Sequence, residues 1–171
     1  MLDVETIKKL LHALNAELAK QNIMGELCIC GGAAMCLAFD ARAATKDIDG
    51  IFEPSDTIRK AVAKVAKDFA LPSDWLNDAV KGFIYGDPPK QNVLSYSHLH
   101  VSAPQPEYML AMKCIAARFD TQDYQDIKFL IALLNLKQPD AVFKIIAKYY
   151  PRSAVPPKTQ FLIEELLETN S

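Results

Sequence analysis

Two short groups of residues in the first third of the chain have the types and spacing that phosphate chemistry needs. Gly31-Gly32 follows the apolar run 27–30, and Asp47 and Asp49 stand one residue apart further on. A glycine pair after a strand lets backbone amides approach a phosphate closely. Carboxylates at i and i+2 of a strand share one face, where they can converge on Mg²⁺ or Mn²⁺. Together these residues predict a site for metal-dependent phosphoryl or nucleotidyl transfer.

Hydrophobic periodicity predicts the elements that hold these groups. Apolar positions recurring every three or four residues indicate helices, and those predicted in the first half are residues 4–20, 33–41 and 57–69, with a short helix near 74–80. Short apolar or alternating runs indicate strands, and the predicted strands are residues 27–30, 47–52, 93–96 and 99–101. The strand 47–52 places Asp47 and Asp49 on one face and Ile48 on the other.

The second half of the chain is predicted to be helical. Apolar stripes separated by prolines indicate four helices, over residues 108–119, 124–135, 141–149 and 159–168. We therefore expect an α+β fold, with a small mixed sheet and an N-terminal helix over residues 1–103 and a helical region over 104–171. A chain of 171 residues is long enough for one sizeable core. The two regions are expected to pack as a single compact unit.

Composition indicates an ordinary globular protein. Half of the residues are hydrophobic, 23% are charged and the net charge is -2. The N-terminus carries acidic residues where a signal peptide carries basic ones, and no apolar run reaches the length that spans a bilayer. We therefore expect a cytoplasmic protein with no membrane partner.

The cysteines and the basic residues carry weaker signals. The four cysteines lie in apolar segments without the paired spacing of a zinc site, and we expect buried, reduced thiols at Cys28, Cys30, Cys36 and Cys114. Basic residues concentrate only on the helix 57–69, at Arg59, Lys60, Lys64 and Lys67. That helix face is either a solvated surface or a contact for a polyanion.

Lys113 is a further candidate because of its surroundings. The neighbouring residues in 109–115 are mostly apolar, so its ammonium group needs a partner or a cleft unless the side chain reaches out to solvent. Asp123 and Asp126 lie one helical turn apart downstream. Asp123 also suits a first-turn position, where the helix dipole favours an acidic side chain.

The two glycine and aspartate groups together resemble the signature of the nucleotidyltransferase superfamily. That signature is an apolar residue before Gly-[Gly/Ser], a helical spacer, and Asp-apolar-[Asp/Glu]-apolar. Gly31–Met35, then Arg42, then Thr45–Asp49 look like the branch that contains the AbiEii-type toxins and related bacterial proteins. That branch also has a downstream helical element, which here runs from 107–113 through Arg118 to three aspartates, Asp120, Asp123 and Asp126.

The resemblance implies a role for each matching residue. Asp47 and Asp49 would be the catalytic ligands of Mg²⁺ or Mn²⁺, and Lys113 and Asp126 would complete the catalytic group. The residues implied to bind the nucleoside triphosphate are Gly31, Gly32, Arg42, Thr45, Lys46 and Asp123. Arg42 and Lys113 would contact phosphates, and Asp123 or Asp126 would orient Lys113 or line the acceptor side.

The function implied is transfer of a nucleoside monophosphate from a triphosphate to a tRNA, a protein or a small molecule. Members of the superfamily commonly take a third carboxylate from a later strand, but residues 93–101 contain none. That segment offers serines and histidines, namely Ser95, Ser97, His98 and His100, and Asp87 or Glu107 are other candidates for the third acid. The alternative is a catalytically degenerate binding module that acts through a protein partner, such as an antitoxin.

Overall fold

The structure is a computed structural model that describes residues 1–118 and 121–168, with the backbone alone at residue 121. Within these residues the fold is α+β, with seven α-helices, a five-stranded mixed sheet and a two-stranded sheet. The predicted fold class is confirmed. The described chain divides into a sheet unit, residues 1–82 with 90–104, and a helical unit, residues 83–89 with 105–168.

The sheet unit contains all of the strands and three helices. Its strands are β1 (Leu2–Asp3), β2 (Gly25–Cys30), β3 (Ala44–Thr45), β4 (Ile48–Glu53), β5 (Leu76–Asn77), β6 (Lys90–Ser95) and β7 (Leu99–Pro104). Its helices are α1 (Val4–Lys20), α2 (Gly31–Leu37) and α3 (Ser55–Asp68). The larger sheet has the order β5-β4-β2-β7-β6. Strand β2 is antiparallel to β4 and parallel to β7, and β1 pairs with β3 separately.

One face of the large sheet forms the hydrophobic core of this unit. Alternate residues of the three central strands are fully buried there, namely Leu27, Ile29, Ile48, Leu99 and Val101. Helices α1 and α3 contact each other and the sheet, and their buried stripes follow the helical period that the sequence predicts. Because side chains alternate along a strand, Cys28, Cys30, Asp49 and Ile51 lie on the opposite face.

The helical unit is built around one buried helix. Its helices are α4 (Pro106–Ala116), α5 (Thr121–Leu133), α6 (Pro139–Tyr149) and α7 (Pro157–Glu168). Every residue from Tyr108 to Ile115 is buried, and α4 contacts both α5 and α6. Hydrogen bonds from Tyr108 tie the segment 83–89 to α4, since its hydroxyl donates to the Tyr85 carbonyl and accepts from the Tyr85 N–H, both at 2.9 Å.

The structure differs from the sequence prediction mainly in the shortest elements. The helix predicted near residues 74–80 is wrong, because β5 and a 3-10 turn over Ala79–Phe83 occupy that region. Strands β1, β3 and β5 are two residues long, too short to show a periodicity. Strand β4 begins at Ile48 rather than Asp47, and α2 runs over Gly31–Leu37 instead of residues 33–41. The predicted helix end at Phe119 lies outside the described residues.

All four cysteines are buried thiols that form no disulfide, as predicted. None of the described helices is both long enough and apolar enough to span a lipid bilayer.

The turn between β6 and β7 is anchored to α1 by polar groups. The backbone N–H of His98 donates to Asn15 Oδ1 at 2.8 Å, and Asn15 is only 7% exposed. The His98 carbonyl accepts from Gly25 N–H at 2.9 Å, and the imidazole lies 3.2 Å from Asn22 Oδ1. His98 therefore has a structural role at the tip of this hairpin.

We expect Asn15→Ala to lower the free energy of unfolding by about 1–3 kcal/mol, because it leaves the His98 N–H without its acceptor. Urea denaturation followed by circular dichroism measures the change. Gln21→Ala, an exposed amide at the end of the same helix, is the control and should change stability by less than about 0.5 kcal/mol. Equal midpoints for Asn15→Ala and the unmodified chain would contradict the anchoring role.

Candidate functional site

The register of β2 and β4 brings Gly31 and Asp49 together. Cys30, the last residue of β2, pairs directly with Asp49, and Gly31 follows with a backbone φ of 54°. A Cβ built on Gly31 would lie 3.0 Å from Asp49 Oδ2, so the carboxylate lies against the glycine Cα. This left-handed backbone conformation costs other L-residues about 1–2 kcal/mol. Both the space and the backbone therefore require glycine at position 31.

Asp47 precedes β4 at a bend and is half-buried. Between the two aspartates, Ile48 is fully buried in the core and its N–H donates to the Trp75 carbonyl at 2.7 Å. Strand alternation turns Asp49 away from that core. Asp47 and Asp49 thus flank a fixed apolar residue at the start of the strand.

A second group forms where Gly32 meets the segment before β4. A Cβ on Gly32 would overlap Thr45 Oγ1 and would lie 3.0 Å from Arg42 Nη1. Thr45 is 5% exposed and is fixed by the pairing of β3 with β1, in which it lies opposite Leu2. The glycine therefore makes room for a hydroxyl and a guanidinium group at the start of α2. The remaining predicted residue of this stretch, Lys46, is exposed.

Cys30 is a neighbour of Asp49 that the sequence analysis did not assign to the site. The adjacent Cys28, burial and the Asp49 carboxylate all raise the pKa of the Cys30 thiol well above its ordinary value. Cys30 is therefore a neutral thiol at physiological pH, and it lines the site without adding a charge. Its place beside Asp49 depends on strand register, which a single sequence does not reveal.

The donor set at this site consists of the two carboxylates. Among the described residues, no group of three or more His, Cys, Asp or Glu side chains is arranged to hold a metal ion. Mg²⁺ is usually held by one or two carboxylates and completes its shell with waters and substrate phosphates. Two carboxylates match the number of protein ligands that such an ion takes, and they do not form a closed site made of protein ligands alone.

The candidates for the third acid do not join this pair within the sheet unit. Strands β6 and β7 contain no carboxylate. On β7, His100 neighbours Glu26 of β2 and has its Nδ1 3.2 Å from Ser95 Oγ. Asp87 and Glu107 both belong to the helical unit, where Glu107 accepts hydrogen bonds from Lys148 and the Tyr149 hydroxyl.

The helical unit contains the second group of predicted residues. Lys113 is 7% exposed, and its Nζ lies 2.9 Å from Asp123 Oδ1 and 2.7 Å from Asp126 Oδ2. Asp126 is 2% exposed, whereas the Asp123 side chain is 21% exposed and also accepts the N–H of Arg118. The expectation that the Lys113 ammonium needs partners is confirmed, and the alternative of a solvent-reaching lysine is wrong. Asp120 lies outside the described residues.

Acidic partners offset part of the basic face on α3. Arg59 forms an ion pair with Asp78, and Lys64 forms one with Asp68. The salt bridges to Lys81 and Arg59 hold the pKa of the Asp78 carboxyl below its usual value. These pairs favour a solvated helix surface over a contact for a polyanion.

Comparison of the chain with protein-family models, curated proteins and solved structures finds no match. A functional assignment consequently depends on the residues and geometry of the two clusters, which we call the Asp49 site (Gly31, Gly32, Arg42, Thr45, Asp47 and Asp49) and the Lys113 cluster (Lys113, Asp123 and Asp126).

We expect Gly32→Ala to destabilise the chain by about 1–3 kcal/mol, because the new methyl group overlaps Thr45. Alanine is otherwise favoured over glycine in a helix by about 1 kcal/mol, so a loss of stability reports the contact. A double-mutant cycle with Thr45→Ala, measured by urea denaturation, should show that the cost of Gly32→Ala falls by about 1 kcal/mol in the Thr45→Ala background. Strictly additive effects would show that the two residues do not touch.

We expect Lys113→Met to lower the free energy of unfolding by about 3–5 kcal/mol, because the Asp126 carboxylate remains buried without this cation. Adding Asp126→Asn should restore part of the loss. Lys148→Met is the matched control, since that lysine pairs with Glu107 on the surface, and it should change stability little. A Lys113→Met chain as stable as the Lys148→Met chain would contradict the buried cluster.

Proposed function

We propose that this chain is a metal-dependent nucleotidyltransferase that transfers a nucleoside monophosphate from a triphosphate to an acceptor. The proposal is supported chiefly by the contact between the two motif blocks, in which Asp49 lies against Gly31. Arg42 and Thr45 pack against Gly32 in the same way. Residues 10 to 18 positions apart thus form one site of carboxylate, hydroxyl and guanidinium groups, in keeping with the resemblance to the AbiEii-type branch.

The two halves of the Asp49 site take different parts of the substrate. Asp47 and Asp49 would hold Mg²⁺ or Mn²⁺, which when bound neutralises phosphate charge and favours attack at phosphorus. Arg42 presents a planar guanidinium that suits two phosphate oxygens at once. Gly32 allows the Thr45 hydroxyl and the Arg42 guanidinium to approach the start of α2 closely.

The reaction proposed exchanges one phosphorus–oxygen bond for another. An acceptor oxygen forms a bond to the α-phosphorus, and the bond from the α-phosphorus to the bridging oxygen of the pyrophosphate breaks. The acceptor loses its proton to solvent and pyrophosphate leaves. The contribution of the chain is to position the acceptor oxygen and the phosphates and to stabilise the negative charge of the transition state.

The resemblance implies that Lys113 contacts phosphate. The ion pairs that Lys113 forms with Asp123 and Asp126 restrict this role. An ammonium group has three N–H donors, and Asp123 and Asp126 engage two of them. The Lys113 cluster carries one formal positive and two formal negative charges, so it does not attract phosphate by net charge. We therefore assign to Asp123 and Asp126 the orientation of Lys113 within the helical unit.

The second candidate function is a binding module that keeps the nucleotidyltransferase-like fold and acts through a protein partner, for example an antitoxin. It is favoured by the lack of a third acid beside Asp47 and Asp49 among the described residues. Calorimetry with each nucleoside triphosphate separates the two proposals. Tight binding that needs no divalent ion and gives no turnover favours the module, and binding that requires the ion favours the enzyme.

Incubation with Mg²⁺ or Mn²⁺, each α-labelled triphosphate, and bulk tRNA, cell protein or small-molecule acceptors tests the enzyme directly. We expect label to reach one class of acceptor, and Asp49→Asn to reduce the rate by at least about a hundredfold, because it removes a charged ligand of the ion. The readout is labelled product separated by electrophoresis or thin-layer chromatography.

Asp40→Asn provides the control for this substitution. Asp40 is exposed, has a φ of 50° and lies in the same connection before β4, and asparagine tolerates that backbone conformation. Its labelling rate should match that of the unmodified chain. Labelling that survives the combined Asp47→Asn and Asp49→Asn substitutions would exclude the proposed roles of these aspartates.

A further inference from the structure

A cavity of about 370 Å³ opens on the same sheet face as Asp49. Residues of β2 and β4 line it together with two lysines that flank the segment 83–89. The lining includes Glu26, Cys28, Ile51, Glu53, Lys81 and Lys90. All of these residues belong to the sheet unit. The cavity is large enough for a small molecule or a short segment of a peptide.

Strand geometry relates the cavity to the Asp49 site. Asp49, Ile51 and Glu53 alternate along β4, so their side chains share a face and follow one another at intervals of about 7 Å. Their cross-strand partners on β2 are Cys30, Cys28 and Glu26. The cavity floor therefore begins one side chain beyond Asp49, and the two glutamates lie one step further.

Two like charges face each other at the end of the cavity that lies furthest from Asp49. Glu26 and Glu53 are directly opposite each other in the antiparallel pair, where like charges are destabilising. The Glu53 carboxylate accepts the N–H of Ser55 at 3.1 Å, whereas the Glu26 carboxylate has neither a hydrogen bond nor an ion pair within the described residues. Lys81 forms an ion pair with Asp78 at 2.8 Å, and Lys90 also has an interaction partner.

We propose that this cavity binds the acceptor of the transfer reaction, and that the acceptor carries a protonated amine which lies between Glu26 and Glu53. This inference rests on the proposed function of the Asp49 site. The Cys28 and Ile51 floor takes the apolar part of the acceptor, and its hydroxyl points along β4 toward Asp49. A nucleic-acid acceptor would place phosphates against the two glutamates and is disfavoured for that reason.

Binding at the cavity is testable without any turnover. Nitrogen-15 NMR spectra of the full chain are recorded with three four-carbon probes that differ in charge, the diamine putrescine, the diol butanediol and the diacid succinate. Putrescine is expected to shift the amide signals of Glu26, Cys28, Ile51 and Glu53, and the neutral and anionic probes are not. The combined Glu26→Gln and Glu53→Gln substitutions should lower the affinity for putrescine about fivefold, and Glu5→Gln on α1 should leave it unchanged.

The melting temperature of the glutamine variant without ligand shows whether the variant remains folded. Both glutamates are exposed, so the melting temperature should change little, and a loss of putrescine binding would then not be due to unfolding. Absent shifts with putrescine at these four amides, or equal shifts with all three probes, would overturn the proposal. So would unchanged putrescine affinity in the glutamine variant.

A transfer assay distinguishes this inference from the proposed function. With an acceptor found in the labelling screen, the glutamine variant should raise the acceptor KM about fivefold and leave nucleotide affinity as it is. A fall in nucleotide affinity would show that the cavity holds part of the nucleotide and would overturn the acceptor assignment alone. Label transferred to tRNA would also overturn it, and would leave the nucleotidyltransferase proposal standing.

Discussion

The antiparallel register of β2 and β4 is the constraint on which the candidate site depends. It pairs Cys30 with Asp49, and the next residue, Gly31, adopts a left-handed conformation against the Asp49 carboxylate. A slip of one residue would turn Asp49 into the apolar core. The buried side chain of Ile48 prevents that slip, since its own burial requires the present register. Core packing on one face of the sheet thus fixes the position of a charged group on the other.

The helical unit contains a charged side chain within a buried helix, and that charge needs partners of opposite sign. Lys113 lies within a run of buried residues on α4, and Asp123 and Asp126 from α5 provide its ion pairs. An ion cluster of this kind contributes little net stability, but the loss of one partner is expensive. The Lys113 cluster therefore links α4 to α5 and holds the lysine in one orientation.

Sequence periodicity was sufficient for the long elements and for the fold class. Helices α1 and α3 and strands β2 and β4 have regular buried positions, and each was predicted within a few residues. The two-residue strands were missed because they have no period, yet β3 fixes Thr45 beside Gly32. Of the residues near Asp49, the sequence identified only those that belong to the two motifs. Cys30 and the facing glutamates Glu26 and Glu53 depend on cross-strand register, which one sequence does not contain.

The most direct test of the Asp49 site is paramagnetic broadening of amide NMR signals by Mn²⁺ in the presence of a nonhydrolysable nucleoside triphosphate. If Asp47 and Asp49 hold the ion beside Gly31, the amides of residues 31–32 and 47–49 broaden first, and Asp49→Asn abolishes the effect at the same ion concentration. Broadening centred elsewhere in the chain, or equal broadening in the Asp49→Asn protein, would contradict a metal and nucleotide site at this end of β4.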